Sequence, residues 1–220
     1  MYFAIEGVIG VGKTTLARML QPSFQANLLL EVFEENPFLS SFYADRARYA
    51  FQTQIFFLLS RYHQQNSNAP AMVASGQHLI SDYTFEKDSL FASINLQGDE
   101  LEMYYRVHEA LAEKIPAPNL VVYLRASTAT LMQRIAMRDR PYERQMDPDY
   151  IDLLNRAYDR AFLGESRRAP VLVLDANQID FVRHPEDLAW VENRIRQSLQ
   201  LPPFQPELPL PNHGEGSSEG

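Results

Sequence analysis

Short apolar runs closed by turn residues alternate along this chain with longer stretches whose apolar residues recur at helical spacing. The first run, Tyr2-Phe3-Ala4-Ile5-Glu6, ends at Gly7 and suits a buried parallel strand. A helix is expected from Lys13, turning Leu16, Ala17 and Leu20 inward and stopping near Pro22. Further strand-like runs fall at Leu28 to Phe33, His78 to Ser81, Leu120 to Leu124 and Val171 to Leu174. Between them, helices are predicted from about Asp45 to Asn66, through Phe51, Ile55, Leu58, Leu59 and Tyr62, and from about Asp99 to Lys114. From Arg134 to Asp149 a helix frays into a charged segment that reads as a mobile lid. Strand and helix in alternation predict an α/β fold: a five-stranded parallel sheet between helical layers.

Length and composition narrow this picture. A chain of 220 residues that is 45% hydrophobic fits one domain, here residues 1–200. Residues 201–220, rich in Pro, Gly, Ser and Glu, read as a disordered tail. The formal charge of −8 disfavours nucleic-acid polymers and acidic membranes, whose phosphates need a basic face. The chain has no cysteine, so it has neither a disulfide framework nor a thiolate metal site. No secretory leader or membrane-length apolar run is evident, which makes the cytoplasm the expected location.

The chemistry begins at Gly7-Val8-Ile9-Gly10-Val11-Gly12-Lys13-Thr14, which matches G-x-x-x-x-G-K-[ST] directly after a strand and at the start of a helix. Such a P-loop curls backbone N–H groups around phosphates, with the positive end of the helix dipole behind them. Lys13 is expected to reach the β- and γ-phosphates of ATP, and Thr14 to ligate Mg²⁺. Gly10 and Thr15 belong to the same nucleotide contact. No N-K-x-D element of a guanine-reading switch is present, which leaves a small kinase. The five histidines show no metal-ligand spacing, and no serine lies in G-x-S-x-G.

Past the second strand stands Glu31-Val32-Phe33-Glu34-Glu35-Asn36-Pro37-Phe38, followed by Phe42-Tyr43. With the P-loop, this resembles the deoxyribonucleoside kinase family, closest to the bacterial deoxyadenosine and deoxyguanosine kinases, over about residues 1 to 200. The resemblance implies that Glu31 is the general base for the nucleoside 5′-hydroxyl, with Glu34 and Glu35 as competing candidates. Val32 departs from the family's usual proline. In Ser81-Asp82-Tyr83-Thr84-Phe85-Glu86-Lys87-Asp88, Asp82 suits a Mg²⁺-side acid. Tyr83 stands where the wider family has an arginine that supports base and phosphates, so Lys87 or a lid arginine is the alternative source of charge.

Gln54 and Arg61, seven residues apart, share nearly one helix face. With Asp88 they resemble the family's base-reading trio, which favours a base bearing an exocyclic amine and, through the bacterial relatives, a purine. Tyr43 and Glu143 resemble the pair on the sugar 3′-hydroxyl, and Phe91 the aromatic that stacks on the base. Arg138 and Arg140 supply planar charge to the transferring phosphoryl. Arg134 resembles the residue over the ATP adenine, and Asp180-Phe181 the loop that completes that pocket. The family also implies a homodimer. A nucleoside monophosphate kinase and a regulator without turnover are the competing readings. The first needs extra basic residues at the acceptor, and the second does not need Glu31, Asp82 and the lid arginines together.

Overall fold

The computed structural model describes residues 1–32, 35–164 and 168–203. Five parallel strands form one sheet: β1 (Tyr2–Glu6), β2 (Ala26–Leu29), β3 (His78–Ser81), β4 (Leu120–Arg125) and β5 (Val171–Asp175), in the order β2-β3-β1-β4-β5. The helices are α1 (Lys13–Phe24), α2 (Leu39–Ala44), α3 (Arg46–Ala74), α4 (Glu86–Asn95), α5 (Gly98–Ala112), α6 (Thr128–Arg138), α7 (Pro148–Leu163) and α8 (Pro185–Ser198). Strand β1 lies in the middle and is buried along its whole length, as a strand covered on both faces must be. Its Phe3 meets Phe24 of α1 edge to face, with ring centroids 5.2 Å apart. The parallel order brings the loops after β1, β2 and β3 to one edge of the sheet, where ligands bind in open α/β folds.

The second strand differs from its expected span. It pairs with β3 only from Ala26 to Leu29, because β3 ends at Ser81 and offers no further ladder. The Glu31 N–H is instead satisfied by Asp82 Oδ1 at 2.8 Å, so Glu31 lies two residues beyond the strand rather than within the expected run Leu28 to Phe33. Two helices also run past their expected ends. Helix α1 passes Pro22 to bury Phe24, and α3 passes Pro70 to Ala74, burying Ala69 and packing Met72 against a second apolar cluster. In each case apolar burial on the far side outweighs a missing hydrogen bond. Helix α6 ends at Arg138 and is followed by a single 3₁₀ turn, Pro141–Glu143, in the segment expected to fray. Leu201 remains packed against the core, whereas residues 204–220 of the expected tail lie outside the described residues.

Candidate active site

The P-loop is shaped by glycines that no other residue can replace without movement. Gly7 has φ +147°, and a Cβ there would sit 2.5 Å from the backbone oxygen of Leu124. At Gly10, with φ +87°, a Cβ would come within 2.7 Å of Ile135 in α6. The loop therefore packs tightly against β4 and α6. Lys13 arches back over it, donating to the carbonyls of Gly7 at 2.6 Å and Val8 at 3.2 Å. Burial, together with the nearby Lys87 ammonium, pushes the Lys13 pKa down to about 8. Thr14 Oγ1 donates to Asp82 Oδ2, which brings a hydroxyl and a carboxylate together beside the loop. This all-oxygen pair fits a hard divalent cation of the Mg²⁺ kind.

Glu31 stands at the centre of a charge network. Arg61 from α3 donates to its Oε1, from Nε at 3.1 Å and also from the terminal amino group, and makes an ion pair with the fully buried Asp88 of α4. Lys87 Nζ lies 2.6 Å from Glu31 Oε2. Burial alone would raise the Glu31 pKa, but the Arg61 and Lys87 charges overcome it and hold the carboxyl far below the usual range. Of the competing acids, Glu35 is exposed and Glu34 lies outside the described residues. Val32 is 40% exposed.

One cavity of about 120 Å³ gathers most of the sequence-selected acceptor residues. Glu31, Tyr43, Gln54, Arg61 and Phe91 line it together with Lys13, Thr14 and Asp82. Arg138, Arg140 and Glu143, from the end of α6 and the 3₁₀ turn after it, also line it. Asp88 is reached through Arg61. The Gln54 Oε1 is buried and accepts no hydrogen bond among the described residues, leaving an acceptor beside the cavity. Arg61, selected as a reader of the base, contacts the candidate base catalyst itself. Arg138, selected for the phosphoryl group, grips Glu143 with two bonds of 2.6 and 2.7 Å from the same terminal nitrogen. Arg140 lies 3.7 Å from the same carboxylate.

A second cavity, of about 600 Å³, shares Gly10 with the first and is lined by Gly12, Thr15, Arg134, Asp180 and Phe181. All the residues selected for the ATP base are therefore on one groove. Arg134 is fixed there by donating to the carbonyls of Val11 at 3.0 Å and Ala176 at 2.8 Å.

Three positioning residues were not selected from sequence. Glu6 is wholly buried at the end of β1 and accepts from the N–H and hydroxyl of Thr84 at 2.6 and 2.9 Å, tying the β3 exit to the P-loop. A carboxylate closing an otherwise apolar strand was its visible signal. Tyr142 stacks on Tyr43 with centroids 5.9 Å apart, and its place beside Glu143 was the clue. Gln64 accepts the Tyr83 phenol at 2.6 Å and donates to the Leu30 carbonyl at 2.7 Å; no sequence pattern pairs it with Tyr83.

The family model described as deoxynucleoside kinase matches residues 3–200. A deoxyguanosine kinase of Bacillus subtilis (strain 168) is 35% identical over 201 residues, covering 90% of this chain and 97% of that protein. A deoxyadenosine kinase of Dictyostelium discoideum is 30% identical over 220 residues, covering 98% and 86%. Among solved structures, deoxyadenosine kinase from M. mycoides with bound dCTP superposes with a TM-score of 0.77 at 26% identity, covering 90% of this chain and 100% of that one. On these grounds the chain belongs to the deoxynucleoside kinase family and is a phosphotransferase.

Proposed function

We propose that the protein transfers the γ-phosphoryl of ATP to the 5′-hydroxyl of a purine deoxynucleoside, deoxyguanosine or deoxyadenosine, in nucleotide salvage. Deoxycytidine, which also bears an exocyclic amine, is the next acceptor. The observation that carries this reading is the half-buried Glu31, held by Arg61 and Lys87 in a cavity that opens onto the P-loop. In such a transfer the protein mainly positions the reactants and stabilises charge. Glu31 takes the 5′-hydroxyl proton while the P-loop amides and Lys13 hold the phosphates. Tyr43 and Glu143 hold the 3′-hydroxyl, Phe91 stacks on the base, and Gln54 with the Arg61–Asp88 pair reads its polar edge. Arg138 and Arg140 turn from Glu143 toward the phosphoryl group as the lid segment closes. Arg134 and the Asp180-Phe181 loop flank the ATP adenine. Thr14 and Asp82 would hold Mg²⁺, which when bound neutralises charge on the β- and γ-phosphate oxygens.

The named relatives support the purine preference, since they include a deoxyguanosine and a deoxyadenosine kinase. We place the reaction in the cytoplasm, where ATP is plentiful, with the protein as a homodimer. No helix among the described residues is long and apolar enough to cross a membrane. The test is a panel of deoxynucleosides with ATP and Mg²⁺: deoxyguanosine or deoxyadenosine is expected to have the highest kcat/KM. Preference for thymidine, which has no exocyclic amine, contradicts the assigned base contacts.

A further inference from the structure

Glu31 enters the cavity with both oxygens engaged, Oε1 by Arg61 and Oε2 by Lys87. A carboxylate in that state is a poor proton acceptor, so one cation has to leave for it to act as a base. The two cations are not equivalent. Arg61 has a second anchor in Asp88, and its guanidinium lies 4.6 Å from the Phe57 ring centroid. Lys87 has one ion-pair partner among the described residues, Glu31. It is 5% exposed, on a flexible stem, and lines the cavity together with Lys13, Thr14 and Asp82. Lys87 and Lys13 line the same cavity beside the P-loop, and the Lys87 charge contributes to the lowered Lys13 pKa. The neighbouring Tyr83 cannot take this part, since its phenol is fully buried and turned onto Gln64.

We propose that Lys87 is a catalytic residue that changes partner during the reaction: it holds Glu31 Oε2 in the free enzyme and moves onto the transferring phosphoryl oxygens once both substrates are bound. The inference rests on the function proposed above. In the step, the 5′-hydroxyl gives its proton to the vacated Oε2 of Glu31, and the 5′-oxygen lone pair forms the bond to the γ-phosphorus. The bond from that phosphorus to the β–γ bridging oxygen breaks, and its electron pair leaves with ADP. Lys87 stays protonated throughout and offsets the charge on the oxygens in transit.

The test compares Lys87→Ala and Lys87→Arg with the wild-type chain, using ATP, Mg²⁺ and deoxyguanosine or whichever deoxynucleoside is turned over fastest. For Lys87→Ala, kcat is expected to fall about 100-fold or more. The Kd values for ATP and nucleoside, measured by calorimetry, should change less than about threefold, the mark of a contact made only during transfer. Added propylammonium should restore part of the lost kcat saturably, and Lys87→Arg should retain more activity than Lys87→Ala. If Lys87→Ala does not fold, Lys87→Met, which keeps the buried stem, carries the same comparison. Unchanged kcat would overturn the proposal. So would a loss of kcat matched by an equal loss of nucleoside affinity and indifferent to propylammonium, since Lys87 would then only shape the pocket. A wild-type chain that phosphorylates no deoxynucleoside would overturn the underlying function, and the Lys87 inference with it; a wild type that turns over beside an unaffected variant sinks Lys87 alone.

Discussion

Glu31 and Lys13 bring opposite charges to the same cavity, and each yields its own prediction. Glu31→Gln keeps the shape of the side chain but removes the base. Its kcat should drop about 10²- to 10⁴-fold, with ATP binding retained by calorimetry. Lys13, with its pKa pushed down to about 8, is charged below that pH and neutral above it in the free protein. Bound phosphates stabilise the charged form, so ATP binding takes up a proton at higher pH. The association constant should therefore fall toward tenfold per pH unit above about 8, and a flat profile to pH 10 contradicts the assigned role. At this scale the sequence separated Lys13 and Thr14 easily, because the P-loop motif is local. It left Glu31 in competition with Glu34 and Glu35, since the partners that single it out lie 30 residues away at Arg61 and 56 away at Lys87. Only folding brings those cations to one carboxylate.

Among the elements, the P-loop and α6 are held by short-range chemistry that can be tested directly. Adding a methyl group at Gly7 would drive it to 2.5 Å from the Leu124 carbonyl oxygen, a rigid backbone atom. Gly7→Ala should therefore lower the melting temperature and abolish ATP binding, and a stable variant with normal affinity would contradict the observed loop shape. Helix α6 begins with Ser127, whose hydroxyl accepts from the Thr130 N–H at 3.2 Å. Ser127→Ala should reduce unfolding free energy by about 1 kcal/mol in a denaturant titration, with kcat little changed. The strands were legible from apolar spacing, as β1 and β3 illustrate, whereas helices α2, α4, α7 and α8 were given no span. The ends of the elements were not legible. Proline rules stop α1 at Pro22, but Phe24 is pulled on into the core, and β2 ends early because β3 offers it no further partner. Both outcomes depend on tertiary neighbours that spacing along the chain does not encode.

In the whole molecule, the groove lined by Arg134, Asp180 and Phe181 and the cavity lined by Glu31, Arg138 and Arg140 share Gly10 of the P-loop. A parallel sheet follows from alternating strands and helices, but its order β2-β3-β1-β4-β5 and the two cavities at its edge could not be read from the sequence. If the protein is a homodimer, sedimentation should report about twice the chain mass of 25.3 kDa at micromolar concentration, and a single-chain mass would refute the dimer. The central claim is tested most directly by following ADP and nucleotide products together, with ATP and Mg²⁺, in the presence and absence of each deoxynucleoside and deoxynucleoside monophosphate. The account predicts negligible ADP without an acceptor. It predicts one deoxynucleoside 5′-monophosphate per ADP with deoxyguanosine or deoxyadenosine, and no turnover with monophosphates. Acceptor-independent ADP release, or product formed only from monophosphates, would contradict it.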